Sequence, residues 1–161
     1  MDTLRLRPMT DTEFAAFRAR SVHGYAVEKV AAGEWSKERA DELAEEQTRT
    51  LLPDGRSTDG MFIVMAEAED VGPVGYAWLA LKSPDVSCAW IYDIAIDEEQ
   101  RGKGYGRALL NGLEQVAREH GLESIGLNVF ASNDYARRLY ERAGYEATSI
   151  HMSKRLDDEP G

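Results

Sequence analysis

A chain of 161 residues, 43% hydrophobic and 30% charged, is long enough to bury a full core and reads as one domain over residues 1–161. Its formal net charge of −10 argues against nucleic acid as a generic partner, because phosphate binding calls for a basic face. Cys88 is the only cysteine, which excludes an internal disulfide and a metal site built on several thiolates.

The first 60 residues read as a strand followed by helices. From Thr3 to Met9, Leu4 and Leu6 alternate with Arg5 and Arg7, as in an edge strand. Thr10 with Glu13 three residues on is a capping box that opens a helix at about Asp11. Phe14, Ala16 and Phe17 begin its apolar face, Gly33 stops it, and Gly24 is a point where it would break in two. Ser36 is placed to cap a second helix over residues 37–52, ended by Pro53. Residues 54–60 are polar and turn-rich, a loop.

Residues 61–156 hold the sheet and 157–161 a frayed tail. The runs 61–67 and 74–81 form a hairpin through Asp70-Val71-Gly72-Pro73, and Ser83-Pro84-Asp85 turns the chain into a central strand. That strand, Ile91-Tyr92-Asp93-Ile94-Ala95-Ile96, is rich in β-branched residues. After Gln100-Arg101-Gly102-Lys103-Gly104-Tyr105-Gly106 comes a helix with the stripe Leu109, Leu110, Leu113, Val116 and Ala117, ended by His120-Gly121. A strand over 124–130 follows, then a short helix capped by Ser132 or Asn133 with the stripe Ala136, Leu139, Tyr140 and Ala143. A last strand is expected over 146–156.

Strand, basic glycine loop, helix is an order with a physical use. The first turn of a helix has N–H groups without internal partners and the positive end of the dipole. Glycines before it let the backbone close around a phosphate, and Arg101 and Lys103 add charge. A P-loop needs a Lys-Ser/Thr pair, and a dinucleotide fingerprint needs Gly at 107; Arg107-Ala108 supplies neither.

The spacing Arg101-x-x-Gly104-x-Gly106 resembles the pyrophosphate loop of the GCN5-related N-acetyltransferases (GNAT superfamily). Further on, Leu127-Asn128-Val129-Phe130, Asn133, Leu139-Tyr140 and Gly144-Tyr145 resemble the second half of that family's cofactor site. The resemblance covers Ile91 to about Leu156 well. The stretch from Tyr25 to Trp35, with Leu51-Leu52-Pro53, resembles a bacterial subgroup.

The resemblance implies an α/β fold: a mixed, largely antiparallel central sheet with helices on both faces and splayed central strands. It implies acetyl-CoA as co-substrate, held by main-chain groups of Ile94, Ala95 and Ile96 and by Arg101, Gly102, Lys103, Gly104, Tyr105, Gly106 and Arg107. The N–H of Ile94 or a neighbour would stabilise the oxyanion. Asn133 would bond the cofactor's arm, cap the helix, or do both. Tyr140 matches the family's general acid for the thiolate, although its apolar stripe also suits a core tyrosine.

Some members place a Glu base where this chain has Asn128, which cannot accept the proton. Asp93, an acid in an apolar strand, is the candidate base, since burial raises a carboxyl toward neutrality; the other reading is a structural carboxylate. Glu28 and Glu67 are further candidates for the base, each also readable as a solvated face; Tyr25, Glu28, Trp35 and Tyr92 are candidate acceptor contacts, the aromatics by cation–π attraction, with His23 and Trp78 as lesser ones. His120 and His151 show no ligand pairing, so no metal is expected.

The reaction implied is acetyl transfer to a primary amine of a small molecule or peptide by direct attack in a ternary complex. A non-catalytic acyl-CoA sensor of the same fold is the alternative, and a partner-binding domain that keeps only the fold is a third. Homodimers are common among the proteins it resembles, and nothing in the sequence locates an interface. The longest apolar run, 61–66, is too short to cross a bilayer, and Met1-Asp2-Thr3-Leu4 lacks a signal peptide's regions, so the cytoplasm is expected.

Overall fold

The computed structural model describes residues 3–82 and 87–157. Five strands, β1 (Arg5–Pro8), β2 (Met61–Ala68), β3 (Gly72–Ala80), β4 (Cys88–Ile96) and β5 (Ser124–Leu127), form one sheet in the order β1-β2-β3-β4-β5. The first three pairings are antiparallel and β4–β5 is parallel. Four helices accompany it: α1 (Asp11–Ala31), α2 (Ala40–Leu51), α3 (Tyr105–Glu119) and α4 (Asp134–Arg142).

Alternation along the strands divides the interior into two faces. Val64, Ala66, Val74 and Leu79 point to one side and pack with Leu109, Leu110 and Leu113 of α3. Ile63 and Trp78 point to the other and pack with Phe17 of α1. The Phe17 ring stands edge-on to Tyr76 at 5.1 Å and to Trp78 at 6.1 Å. Helices thus cover both faces of a mixed sheet. Among the described residues no helix is long and apolar enough to cross a membrane.

The capping box forms as its spacing requires. Thr10 Oγ1 accepts from the Glu13 N–H at 3.2 Å and Glu13 Oε1 accepts from the Thr10 N–H at 2.9 Å. Glu13 also meets Arg7 at 2.7 Å, and Arg7 meets Glu67 at 3.0 Å, so one guanidinium ties β1, α1 and β2 together.

Four local expectations are corrected. Helix α1 runs unbroken through Gly24, because Val22 and Ala26 on either side are buried and a side chain at 24 would meet nothing. Helix α2 starts at Ala40 rather than 37, and its N-cap Arg39 makes no side-chain capping bond; Ser36 instead opens the preceding turn through its carbonyl, which accepts from the Arg39 N–H at 3.2 Å. Strand β5 ends at Leu127, three residues short of Phe130. Residues 146–156 form no strand: they alternate, but no neighbouring strand pairs with them. The expected turn at Ser83-Pro84-Asp85 lies outside the described residues.

Candidate active site

Strands β4 and β5 stay together from Cys88↔Ser124 to Ile91↔Leu127 and then part. Strand β4 goes on to Ile96 with only β3 beside it, so the main chain of Tyr92 to Ile96 has one edge free of any strand. A free strand edge is a row of donors and acceptors that an extended ligand can pair with. This is the splay the resemblance implied.

An irregularity lies at the point of parting. In the β3–β4 ladder Trp78 pairs with Asp93 and Leu79 with Ile91, leaving Tyr92 as the extra residue of a β-bulge. Tyr92 lies against Trp78, ring centroids 4.7 Å apart, and Asp93 faces Ser21 and Tyr76, so both side chains meet residues on the α1 side of the sheet.

There Asp93 is held in a polar niche. Desolvation pushes its carboxyl up from the ordinary aspartate value. The Ser21 hydroxyl, the Ile94 N–H, the Tyr76 hydroxyl and the charge of Arg20 oppose that rise without cancelling it. Arg20 is itself seated over the Tyr76 ring, 5.1 Å from its centroid. Glu28, seven residues along α1 from Ser21, is also raised, first by desolvation and then by the charge of Asp93. Burial, helped by Asp93 and Glu28, pushes the Tyr140 hydroxyl up to about 12, so it keeps its proton at every physiological pH. These three groups line a recess of about 100 Å3 together with Tyr92, Asn128 and Asn133.

The glycine loop lies at the far end of β4. Gly102 and Gly104 have φ of +78° and +86°, and a Cβ at either would meet nothing within 4 Å. Gly104 caps α3 with no side-chain bond, and among the described residues none of the N–H groups of residues 102–107 donates to a main-chain carbonyl. Open space above unpaired amides at a helix start fits a diphosphate. Gly106 serves packing instead: a Cβ there would stand 3.0 Å from Leu139 Cδ2, so α3 and α4 approach closely beside Tyr140.

Several expected contacts have other partners. Arg101 Nε donates to the Ile96 carbonyl at 3.1 Å, with its guanidinium 5.6 Å from the centre of the Tyr135 ring. Lys103 donates to Gln100, and Arg107 donates to the Arg142 carbonyl at the end of α4. Asn133 caps α4 by accepting from the Ala136 N–H at 3.2 Å. Tyr25 and Trp35 stand edge to face with the Lys29 ammonium over both rings; neither lines the recess, but the Tyr25 ring lies 6.5 Å from that of Phe130, which does. Tyr105 is the first residue of α3 and is buried in the core. Ser21, Arg20 and Tyr76, the partners of Asp93, sit in no motif, because their meeting depends on how α1 crosses the sheet.

The model of the acetyltransferase (GNAT) family matches residues 24–145. The chain belongs to that family. It is 37% identical over 155 residues to the uncharacterised N-acetyltransferase YycN of Bacillus subtilis, which spans 96% of this chain and 99% of YycN. It is 35% identical to YdgE of the same organism, over 94% and 97% of the two chains. The crystal structure of YycN superposes with a TM-score of 0.91 at 36% identity, covering 97% of this chain and all of that one. The aminoglycoside acetyltransferase AAC(6')-Iy, solved with CoA, shares the fold at a TM-score of 0.58 and 15% identity, over 98% and 97% of the two chains. This GNAT protein is an acetyl-CoA-dependent acetyltransferase, and the open amides of its glycine loop together with the free edge of β4 fit that co-substrate.

Proposed function

We propose that this enzyme acetylates a primary amine on a small cationic acceptor by direct attack, with Asp93 as base and Tyr140 as acid. What carries the reading is the meeting of Asp93, Glu28 and Tyr140 around one recess where β4 and β5 part.

Acetyl-CoA supplies an activated acetyl group, with residues 102–107 holding its diphosphate and the edge of β4 its extended arm. An alkylamine of pKa near ~10 arrives as an ammonium and must lose a proton before it attacks. Glu28 at the rim attracts that cation. Asp93 takes the proton, and its raised affinity for protons brings it nearer to the value a base needs at neutral pH. The amine lone pair then forms the N–C bond as the C–S bond breaks. Tyr140 gives the departing sulfur a proton and regains one, through solvent, from the newly acylated nitrogen. The Ile94 N–H faces the Asp93 carboxylate while that group is ionised, and protonation of Asp93 frees it for developing charge on the acetyl oxygen.

Asn128 lies at the recess without a role in proton transfer, so the base comes from β4 and not from the strand after α3. The acidic net charge of −10 accords with a cationic acceptor. Thiol release from acetyl-CoA across a panel of polyamines, amino sugars and amine-bearing peptides tests the reading. Turnover of small polycations above neutral monoamines is the expected result. CoA binding without thiol release for any amine would overturn it in favour of an acyl-CoA sensor.

A further inference from the structure

Helix α1 presents two stripes. Val22 and Ala26 pack with Ala40 and Ala44 of α2. Phe17, Ser21, Gly24 and Glu28, spaced four, three and four apart, share the stripe that faces the sheet. Three of these four have partners there. Phe17 is fully buried against Tyr76 and Trp78, Ser21 meets Asp93, and Glu28 lines the recess with Asp93 and Tyr140. Gly24 has none, and a Cβ built on it would meet nothing within 4 Å.

That space lies beside the candidate base. Gly24 comes three residues after Ser21 and four before Glu28, the two residues of its stripe that approach Asp93. It is also the only glycine of a 21-residue helix, and glycine is the poorest helix former after proline. An alanine there would favour the helix and collide with nothing, so packing within the protein does not call for glycine. Room beside a backbone that no protein atom uses suits the close approach of a ligand.

The recess also has a firm aromatic wall. Tyr92 lines it, is 40% exposed, and is backed by Trp78 with the two rings inclined at 31°. Trp78 is fixed in turn by Phe17, edge-on, and by Met61, whose Sδ accepts from its Nε1 at 3.3 Å. A slim terminal alkylamine reaches a carboxylate without needing cleared helix or a flat ring. An amine borne on a ring carbon brings bulk to the level of the base, and a rigid aromatic face is suited to stacking with it.

We propose that Gly24 is a specificity-determining residue, clearing the face of α1 beside Asp93 for an acceptor whose amine is carried on a ring, as in an amino sugar, with that ring lying on Tyr92. The proposal rests on the reading of Asp93 as base to an amine and narrows its acceptor class. Glu28 then meets the acceptor's charge from the same helix stripe.

Two dications of six carbons, hexamethylenediamine and trans-diaminocyclohexane, test it by their kcat/KM for thiol release from acetyl-CoA. The parent should prefer the cyclic amine. Gly24→Leu should lower the cyclic-to-linear ratio by about 10–100-fold, the scale on which pocket shape discriminates. Gly24→Ala should lower the same ratio by a smaller factor while melting above the parent, so the change cannot come from a damaged fold. CoA titration of both variants should match the parent. A parent that prefers the linear diamine or takes neither, or a ratio left unchanged in both variants, would overturn the proposal while leaving acetyl transfer to other amines intact. Absence of thiol release with every amine would instead sink the acetyl-transfer reading, and the proposal with it.

Discussion

Trp78 faces Asp93 across the β3–β4 ladder, whereas the next pair joins Leu79 to Ile91, so Tyr92 has no partner. One extra residue reverses the side on which every later residue of the strand falls. Without it, Asp93 would lie on the side of Leu109 and Leu113, an ionisable group in an apolar layer. With it, Asp93 reaches Ser21 and Tyr76, and Ile94 and Ile96 return to the α3 face. The bulge therefore sets the position of the candidate base, at the level where β5 leaves β4.

Replacing Asp93 with Asn should separate activity from stability. As the base its loss should lower kcat by about 10²–10⁴-fold. Its carboxyl is raised above the aspartate value of 3.8, so the folded chain holds the proton more tightly than the unfolded chain does. Folding is then penalised progressively as pH rises from that value through the raised one, and fully above it. Asp93→Asn removes the penalty, and its Oδ1 can still accept from Ser21. Its melting temperature should exceed that of the parent at pH 8 and match it near pH 3.5. A lower Tm at pH 8 would show a carboxylate that serves structure.

Tyr140→Phe tests the acid. The ring is packed among Leu139, Ala143 and Tyr145, so the loss of one hydroxyl should leave the fold intact. A thiolate is a fair leaving group, so the expected fall in kcat is about 10–100-fold, at or below the lower end of general acid effects. With the hydroxyl pushed up to about 12, any alkaline limb of the parent's profile between pH 8 and 10 has another origin and should persist in the variant. Unchanged kcat would make Tyr140 a core residue only.

What the sequence disclosed is what is local. Thr10 and Glu13 specify a cap within one turn, and Gly102 to Gly106 carry an amide cradle whose chemistry needs no distant partner. The bulge at Tyr92 was not legible, because it exists only in the register between two strands. Ser21 and Tyr76 were invisible as partners of Asp93 for the same reason. Gly24 misled because a helix-weakening residue costs about 1 kcal/mol, less than the packing of Val22 and Ala26 returns. Residues 146–156 show a strand's alternation, but alternation states a face to cover and does not supply the neighbour.

Two glycines with equally open surroundings should respond in opposite ways to alanine. Gly104 has φ of +86° and Gly24 lies within α1, and a Cβ at either meets nothing within 4 Å. Gly104→Ala should cost about 1–2 kcal/mol through its left-handed backbone and weaken CoA binding about tenfold by reshaping the amides beside it. Gly24→Ala should stabilise by about 1 kcal/mol, raising Tm by about 2–4 °C. Calorimetric melts and CoA titration of both variants measure these effects. Equal CoA affinity in Gly104→Ala and the parent would remove the loop from the binding account.

The ion cluster at the start of α1 should show itself in acid. Hydrogen bonds from Arg7, and then from the Thr10 N–H, hold Glu13 down to about 2 from the ordinary glutamate value of 4.5. Its contribution is therefore complete above about pH 4.5 and is lost as pH falls through about 2. Glu13→Gln keeps the reciprocal cap, since Gln also serves at that position, and removes the charge together with the second Arg7 hydrogen bond, which the amide nitrogen cannot accept. Both side chains are about a quarter exposed, so solvent screening reduces the effect to about 1 kcal/mol, or about 2–4 °C in Tm at pH 7. The difference from the parent should shrink below pH 4 and vanish near pH 2. Asp59, paired with Lys82 at 2.6 Å, makes the control: their side chains are 85% and 72% exposed, and Asp59→Asn should leave Tm unchanged at every pH. If the two variants behave alike, bond length and not its setting decides the stability of an ion pair in this protein.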